Sequence, residues 1–105
     1  MKMINARQIM YEVEQYFSLP KGIMLRMSPG LRKGIAKTAR TMFINLCKSH
    51  THYSVSDIAE ALNVTYQLVY TNVRILENDV KLRALYDEIE SYIISKYNRS
   101  CNENN

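Results

Sequence analysis

The chain has 105 residues, of which 47% are hydrophobic and 23% charged, and its formal net charge is +4. This length predicts one domain with a single modest core, and the apolar fraction excludes intrinsic disorder. No apolar run approaches the roughly 20 residues of a membrane span, and residues 1–10 lack the apolar block of a secretory signal. The two cysteines, Cys47 in a helical pattern and Cys101 in a polar stretch, do not suggest a disulfide. We therefore expect a cytoplasmic protein.

Positive charge is concentrated in the first half of the chain. Residues 1–50 contain nine Lys or Arg and two Asp or Glu, whereas residues 51–105 contain five and eight. The segment from Lys21 to Lys48 holds seven basic residues and no acidic one. Such an asymmetry suits a polyanion, although charge alone would fit a solvated basic face equally well.

The first predicted helix covers residues 5–17. Its apolar side chains recur at helical spacing, whereas Arg7, Glu12 and Glu14 fall off that stripe and are expected to face water. The helix should end before Pro20, because the residue that precedes a proline disfavours the helical conformation. Pro20 can itself begin a short second helix.

The third predicted helix runs from about Leu31 to Ser49, after a loop that contains Pro29 and Gly30. Basic residues near a helix start are unfavourable for the helix dipole unless an anion binds there, and the first-turn N–H groups themselves attract anions. We therefore interpret this region as a phosphate clamp. The clamp residues are Arg26, Arg32, Lys33, Lys37 and Arg40, and the expected buried stripe of the helix is Ile35, Ala39, Met42, Phe43 and Leu46.

Two further helices, joined by a tight turn, are predicted between Ser54 and Leu76. Ser56 is the expected cap of the first of them, and Thr65 is the expected cap of the second. Asn63 stands in the turn, where a positive φ is needed and Asn tolerates it better than most residues. This pattern predicts a helix-turn-helix, whose second helix enters the major groove of DNA. A plain helical hairpin in the core is the structural alternative.

The outward face of the second helix in this pair carries side chains that suit DNA. They are aromatic or hydrogen-bonding groups without negative charge, whereas a merely solvated face would more often mix Glu with Lys. We expect Tyr66, Gln67, Tyr70 and Arg74 to read bases, and Thr65 to contact the backbone. The complete set of expected contacts on this helix is Thr65, Tyr66, Gln67, Tyr70, Thr71 and Arg74.

A final helix is expected after a break, with a cap at Asn78 or Asp79, and should end near Tyr97. Its acidic residues are expected to face outward, where they would repel phosphate, so this helix is interpreted as scaffold on the side away from DNA. Residues 98–105 predict a disordered polar tail, which leaves residues 1–97 as the domain. The acidic residues are Asp87, Glu88 and Glu90.

No catalytic, cofactor or metal site is predicted. His50 and His52 stand one residue apart, but no cysteine or acidic partner follows at ligand spacing. No glycine-rich phosphate loop of the P-loop type occurs, which excludes ATP hydrolysis by that motif. We expect a non-enzymatic protein without cofactor or small-molecule substrate, folded as an all-α, compact multi-helix domain.

The order and spacing of these segments resemble the C-terminal DNA-binding domain of the bacterial replication initiator DnaA, a Trp-repressor-like helix-turn-helix. The resemblance covers about Ile4 to Ile94 and rests on Ile9–Pro20, Arg26–Lys33 and Ser54–Ala59. It implies a helical domain that binds double-stranded DNA in replication or transcription control. The chain has Asn63-Val-Thr-Tyr-Gln-Leu-Val69 where the family carries Gly-Gly-Arg-Asp-His-Thr-Thr-Val. A different target sequence, or binding to the DNA backbone alone, is therefore expected.

A protein-interaction module on the same fold, without DNA binding, is the alternative function. Tyr66, Leu68 and Tyr70 would then form an adhesive patch, and Met24–Met27 would form a second one. Such a module would act as a homodimer or with another protein partner.

Overall fold

The computed structural model describes residues 5–26 and 34–103, and it describes side chains for residues 5–25 and 34–97. Over these ranges the chain forms six helices and no strand, which confirms the predicted all-α, multi-helix fold class. None of these helices is long and apolar enough to cross a membrane. The helices are α1 (Ala6–Tyr16), α2 (Ile23–Arg26), α3 (Ile35–His50), α4 (Val55–Leu62), α5 (Tyr66–Asn78) and α6 (Val80–Glu103).

Helix α3 lies at the centre of the fold. All residues from Ala39 to Cys47 are buried, and α1, α2, α4 and α5 pack around it. A helix that is buried all round has neighbours on every side, and so its polar residues are enclosed together with the apolar ones. The helix begins at Gly34, whose φ of 95° suits glycine, rather than near Leu31. Ile35 was wrongly placed in the buried stripe: it lies in the first turn, outside the packed part, and is 59% exposed.

Helix α1 begins with a capping box. The Asn5 side chain accepts the Gln8 N–H at 2.8 Å, and the Gln8 side chain accepts the Asn5 N–H at 3.0 Å. These reciprocal bonds satisfy two N–H groups that have no partner inside the helix. The predicted start of the helix is therefore confirmed, with a cap that the apolar pattern does not reveal.

The predicted exposure of Glu14 is wrong, because this carboxylate is buried and caps the next helix. It accepts the Gly22 N–H at 3.0 Å and the Met24 N–H at 3.2 Å, and only 2% of the residue is exposed. Backbone N–H groups at a helix start need acceptors, and a carboxylate can serve two of them. Glu14 thus fixes the α1–α2 corner.

Glu12, also expected to face water, joins the first helix to the last. Its carboxylate accepts bonds from Lys96 Nζ at 2.9 Å and from the Tyr97 hydroxyl at 3.3 Å, and 2% of the residue is exposed. A buried charge is tolerated when it is paired and hydrogen-bonded, as it is here. The apolar periodicity of α1 did not predict the burial of either glutamate, because their hydrogen-bond partners lie elsewhere in the chain.

Helix α6 follows the predicted break. Asp79 caps it by accepting the Leu82 N–H at 3.0 Å, and the helix continues to Glu103, beyond the predicted end near Tyr97. Asp87 and Glu88 are exposed as expected.

Glu90 differs from its acidic neighbours on α6, because it turns toward α3. It lies 2.7 Å from Nε2 of His50, the last residue of α3, and accepts the Tyr86 hydroxyl at 3.2 Å. Glu90 is half-buried, so its predicted outward position is corrected. The contact ties α6 to the end of the central helix.

Candidate nucleic-acid interface

Helices α4 and α5 are joined by the tight turn that the sequence predicts. Asn63 has a φ of 56° and a ψ of 50°, which is the left-handed conformation expected at this position. Its N–H bonds to the Glu60 carbonyl at 3.1 Å, and the Val64 N–H bonds to the Ala59 carbonyl at 2.9 Å. These bonds satisfy carbonyl groups at the end of α4 and reverse the chain toward α5.

The cap of α4 is Ser54, and the prediction of Ser56 was wrong. The Ser54 hydroxyl accepts the Asp57 N–H at 3.1 Å, and the Asp57 carboxylate accepts the Ser54 N–H at 2.9 Å. The backbone hydrogen bond from Ser54 is the main cause that lowers the pKa of Asp57, and the Ser54 side chain lowers it further. The acidic residue three positions after Ser54 was the available signal for this capping box. Ser56 is thereby left for another contact, described below.

Helix α5 buries one face and exposes the other. The Thr65 hydroxyl accepts the Leu68 N–H at 3.2 Å, which confirms the predicted cap. Val69 and Leu76 are buried, and Val73 is half-buried against the core, as their spacing predicts. All six of the expected contact residues on this helix are exposed to solvent: Thr65, Tyr66, Gln67, Tyr70, Thr71 and Arg74.

The exposed face of α5 carries no negative charge from the helix start to Leu76, and the exposed Glu77 follows in the last turn. No Asp or Glu occurs between Thr65 and Leu76, and none stands in the first turn. Tyr66 and Tyr70 are 58% and 54% exposed, and Arg74 follows one turn later. A helix start without carboxylates keeps the partial positive charge of its first-turn N–H groups. This face can therefore accept a ligand that carries negative charge and hydrogen-bond acceptors.

A buried polar network, which sequence reasoning missed, holds α5 against α3. The Thr41 hydroxyl donates to Asn72 Oδ1 at 2.6 Å, and Asn45 Nδ2 donates to the Thr41 carbonyl at 2.8 Å and the Asn72 carbonyl at 3.3 Å. Asn72 Nδ2 also donates to the Leu68 carbonyl at 2.8 Å. Asn72 lies between Val69 and Val73, so its position in the apolar stripe was the available signal. Buried polar networks of this kind fix one relative placement of two helices.

Of the predicted clamp residues, Lys37 lies close to this network. Lys37 is half-buried and lies one turn before Thr41, on the same face of α3. The side chains of the other clamp residues in the preceding stretch, Arg26, Arg32 and Lys33, lie outside the described residues.

Arg40 does not occupy the surface position that a phosphate clamp requires. Its side chain belongs to the enclosed part of α3, with 3% of the residue exposed, and burial lowers the pKa of its guanidinium. The basic pattern predicted that the face of α3 that carries Arg40 is solvent-exposed, but Arg40 lies in the stretch from Ala39 to Cys47 that is buried throughout. We therefore correct its assignment and leave Arg40 out of the phosphate contacts.

The apolar patches expected for a protein-interaction module are smaller than predicted. Leu68 packs against the core, so that Tyr66 and Tyr70 alone remain exposed in the first patch. Met24 is 2% exposed and belongs to the core, and Met27 lies outside the described residues. Leu25, between them, is 58% exposed.

Within the part of the chain that the structure describes, no three His, Cys, Asp or Glu residues are grouped to hold a metal ion. His50 is engaged by Glu90 at 2.7 Å, and Cys47 is a buried free thiol.

Over the described residues the geometry defines an all-α, multi-helix domain in which a tight turn leads into a helix with an exposed face that has no carboxylate before Glu77. Comparison with protein-family models and a search of curated proteins each find no match to the chain. The assignment of a function therefore depends on the exposed surface of α5 and on the buried polar network that holds α5 against α3.

Proposed function

We propose that this chain is a helix-turn-helix protein that binds double-stranded DNA, with α5 as the recognition helix. The carrying observation is that all six expected contact residues are exposed to solvent, along a stretch from Thr65 to Leu76 that contains no Asp or Glu. Such a face suits DNA, because phosphates carry negative charge and base edges present acceptors.

The proposed contacts divide between bases and backbone. Gln67 can bond to an adenine edge and Arg74 to a guanine edge, which are the pairings that geometry favours in the major groove. Thr65 at the start of α5 and Lys37 on α3 would contact phosphates. If the four clamp residues that remain, Arg26, Arg32, Lys33 and Lys37, each neutralise one phosphate, log K should fall with log salt at a slope of about −3 to −4.

The buried network supports this reading. Recognition needs a helix held in one orientation, since a misplaced side chain loses its base contact. Asn72 anchors the middle of α5 to Thr41 and Asn45 on α3. The recognition helix is therefore mounted on the central helix of the fold.

The resemblance to the DnaA domain supports a role in replication or transcription control in the cytoplasm. The turn and the start of α5 carry other residues than that family, and so the target is proposed to be a sequence of its own. No small-molecule substrate, cofactor or catalytic activity is included in the proposal.

The test is retention on random-sequence duplex DNA at low salt. The parent protein should be retained and then released by moderate salt, whereas Arg74→Glu should bind at least tenfold more weakly. Lys81→Glu, which makes the same charge change at an exposed site on α6, is the matched control and should bind like the parent. Failure of the parent to be retained, or equal binding by Arg74→Glu, would contradict the proposal.

A protein-interaction module is the second candidate, favoured by the exposure of Tyr66 and Tyr70 one turn apart. Exposed aromatic side chains are typical of interface anchors. A homodimer or a defined complex with a protein partner, observed by light scattering together with no retention on DNA, would support this function and oppose the first. Replacement of both tyrosines by alanine should then dissolve the complex.

A further inference from the structure

A hydroxyl-lined depression lies between the start of α4 and the exposed face of α5. It encloses about 320 Å³ and is lined by Ser54, Val55, Ser56, Tyr66 and Tyr70. The Ser54 hydroxyl is occupied as the cap of α4. The Ser56 hydroxyl, in contrast, lies 3.1 Å from the Tyr66 hydroxyl and bridges the two helices.

The Ser56–Tyr66 pair retains a hydrogen-bond donor. Each hydroxyl has one O–H, and one bond between them uses one of these, whichever residue donates. The second O–H must point away from the pair. Both residues are exposed, and so this donor is available to a ligand at the surface.

The lining of the depression is uncharged, because it contains no Asp, Glu, Lys, Arg or His. The acidic residues of α4, Asp57 and Glu60, line a different depression together with His52 and Tyr53. Asp57 does approach Ser54, whose N–H it accepts at 2.9 Å, but it is not among the residues that line the Ser56–Tyr66 depression.

We infer that the Ser56–Tyr66 hydroxyl pair holds a phosphate group of the bound duplex. This inference rests on the proposed function, and it adds Ser56 to the interface while moving Tyr66 from base reading to backbone positioning. A hydroxyl tied to α4 cannot also extend along the axis of α5 toward a base edge. Phosphate oxygens accept hydrogen bonds from Ser and Tyr side chains, and such contacts set the register of a protein on DNA without reading its sequence.

This assignment has a signature that separates it from the contacts of cations and base readers. A neutral donor releases no counterion, so its loss weakens binding without changing the salt slope. Its loss also leaves the preferred sequence unchanged, because every nucleotide carries the same phosphate. Base reading then belongs to Gln67, Tyr70 and Arg74.

The experiment compares the double variant Ser56→Ala/Tyr66→Phe, and Tyr66→Phe alone, with the parent by fluorescence anisotropy on a duplex selected from a random pool. The double variant should bind about threefold to tenfold more weakly, which is the effect of one lost hydrogen bond, whereas the single variant keeps the Ser56 O–H and should lose less. Salt slopes and the sequence selected from the pool should match those of the parent. Ser91→Ala, an exposed serine on α6, is the matched control and should bind like the parent. Circular dichroism verifies that each variant is folded.

The outcomes separate this inference from the proposed function. A parent that does not bind duplex DNA overturns both. A parent that binds, with the double variant Ser56→Ala/Tyr66→Phe binding equally well, overturns the phosphate assignment alone. A changed selected sequence for Tyr66→Phe also overturns it, since that result would make Tyr66 a base reader.

Discussion

The Thr41 hydroxyl donates a 2.6 Å hydrogen bond to the side-chain oxygen of Asn72, and both residues are buried. This bond joins the central helix to the helix that we propose for DNA recognition. An acceptor left alone in this environment would lose its hydration without compensation. Thr41→Val keeps the shape of the side chain and removes the donor, so it should lower the free energy of unfolding by about 1–3 kcal/mol. Urea denaturation measures this change.

The same pair should show strong energetic coupling. In a double-mutant cycle of Thr41→Val and Asn72→Ala, the two effects are expected to be non-additive by about 0.5–3 kcal/mol, because the residues share one bond. Additive effects would show that the network does not hold α3 and α5 together.

Glu14 should be important for stability, unlike a glutamate on the solvent-facing side of a helix, because it is buried and accepts two backbone hydrogen bonds. Glu14→Ala removes the acceptor of the Gly22 and Met24 N–H groups, and we expect a loss of about 1–3 kcal/mol. Gln15→Ala, at the neighbouring exposed position on α1, is the control and should change stability by less than about 0.5 kcal/mol. Similar urea midpoints for the two variants would contradict the buried role of Glu14.

Asn63 adopts a backbone conformation that most side chains resist. Its φ of 56° costs about 1–2 kcal/mol for an ordinary residue, whereas glycine adopts it freely. Asn63→Ala should therefore destabilise the protein by about 1 kcal/mol, and Asn63→Gly should be neutral or stabilising. Thermal unfolding of the two variants checks the order, and an alanine variant as stable as the glycine variant would refute it.

Stability should fall in alkaline solution because two buried acids resist ionisation. Burial raises the pKa of the Cys47 thiol from 9.0 to about 12, and burial is also the main cause that raises the pKa of Tyr86 from 10.0 to about 12. The unfolded chain releases these protons first, so the stabilisation is complete below pH 9 and is lost as the pH rises toward 12. From the thiol alone we expect about 2 kcal/mol less stability at pH 11 than at pH 8. Urea denaturation across this range should show the decline, and a flat profile would disagree.

Two basic residues that the sequence assigned to the same clamp should respond differently to charge reversal. Lys37→Glu should weaken DNA binding and flatten its salt slope while the fold is kept, because Lys37 is only half-buried. Arg40→Glu should instead destabilise the fold, by about 3 kcal/mol or more, because it places a carboxylate in an enclosed site. Circular dichroism melting and anisotropy distinguish the two. A well-folded Arg40→Glu that loses DNA binding would restore Arg40 to the clamp.

The apolar periodicity predicted the helices well, because burial of one stripe is what makes each helix stable. It correctly placed Val69 and Leu76 on the buried face of α5, and the turn chemistry placed Asn63. The errors at Glu12 and Glu14 have one physical origin: periodicity treats polar residues as outward-facing. Glu12 and Glu14 are polar, yet both are buried by partners from other elements.

The candidate site was predictable on α5 and less so on α3. On α5 the side chains off the apolar stripe do face solvent, and so the exposed set follows from the helix's own sequence. Arg40 could not be placed in that way, because its burial depends on α3 being covered on all sides. The Ser56–Tyr66 bridge joins residues on two helices, and its geometry depends on how the turn at Asn63 brings those helices together.

The bond between Glu12 and Lys96 makes the first and last helices depend on each other. A carboxylate placed in the core without its cation and its tyrosine would oppose the docking of α1, since an isolated buried charge is strongly unfavourable. During synthesis Glu12 leaves the ribosome long before Lys96 and Tyr97, so its carboxylate has no cation or tyrosine partner until α6 has been made. The helix proposed to bind DNA is thus synthesised before α6, the helix that completes these bonds to α1.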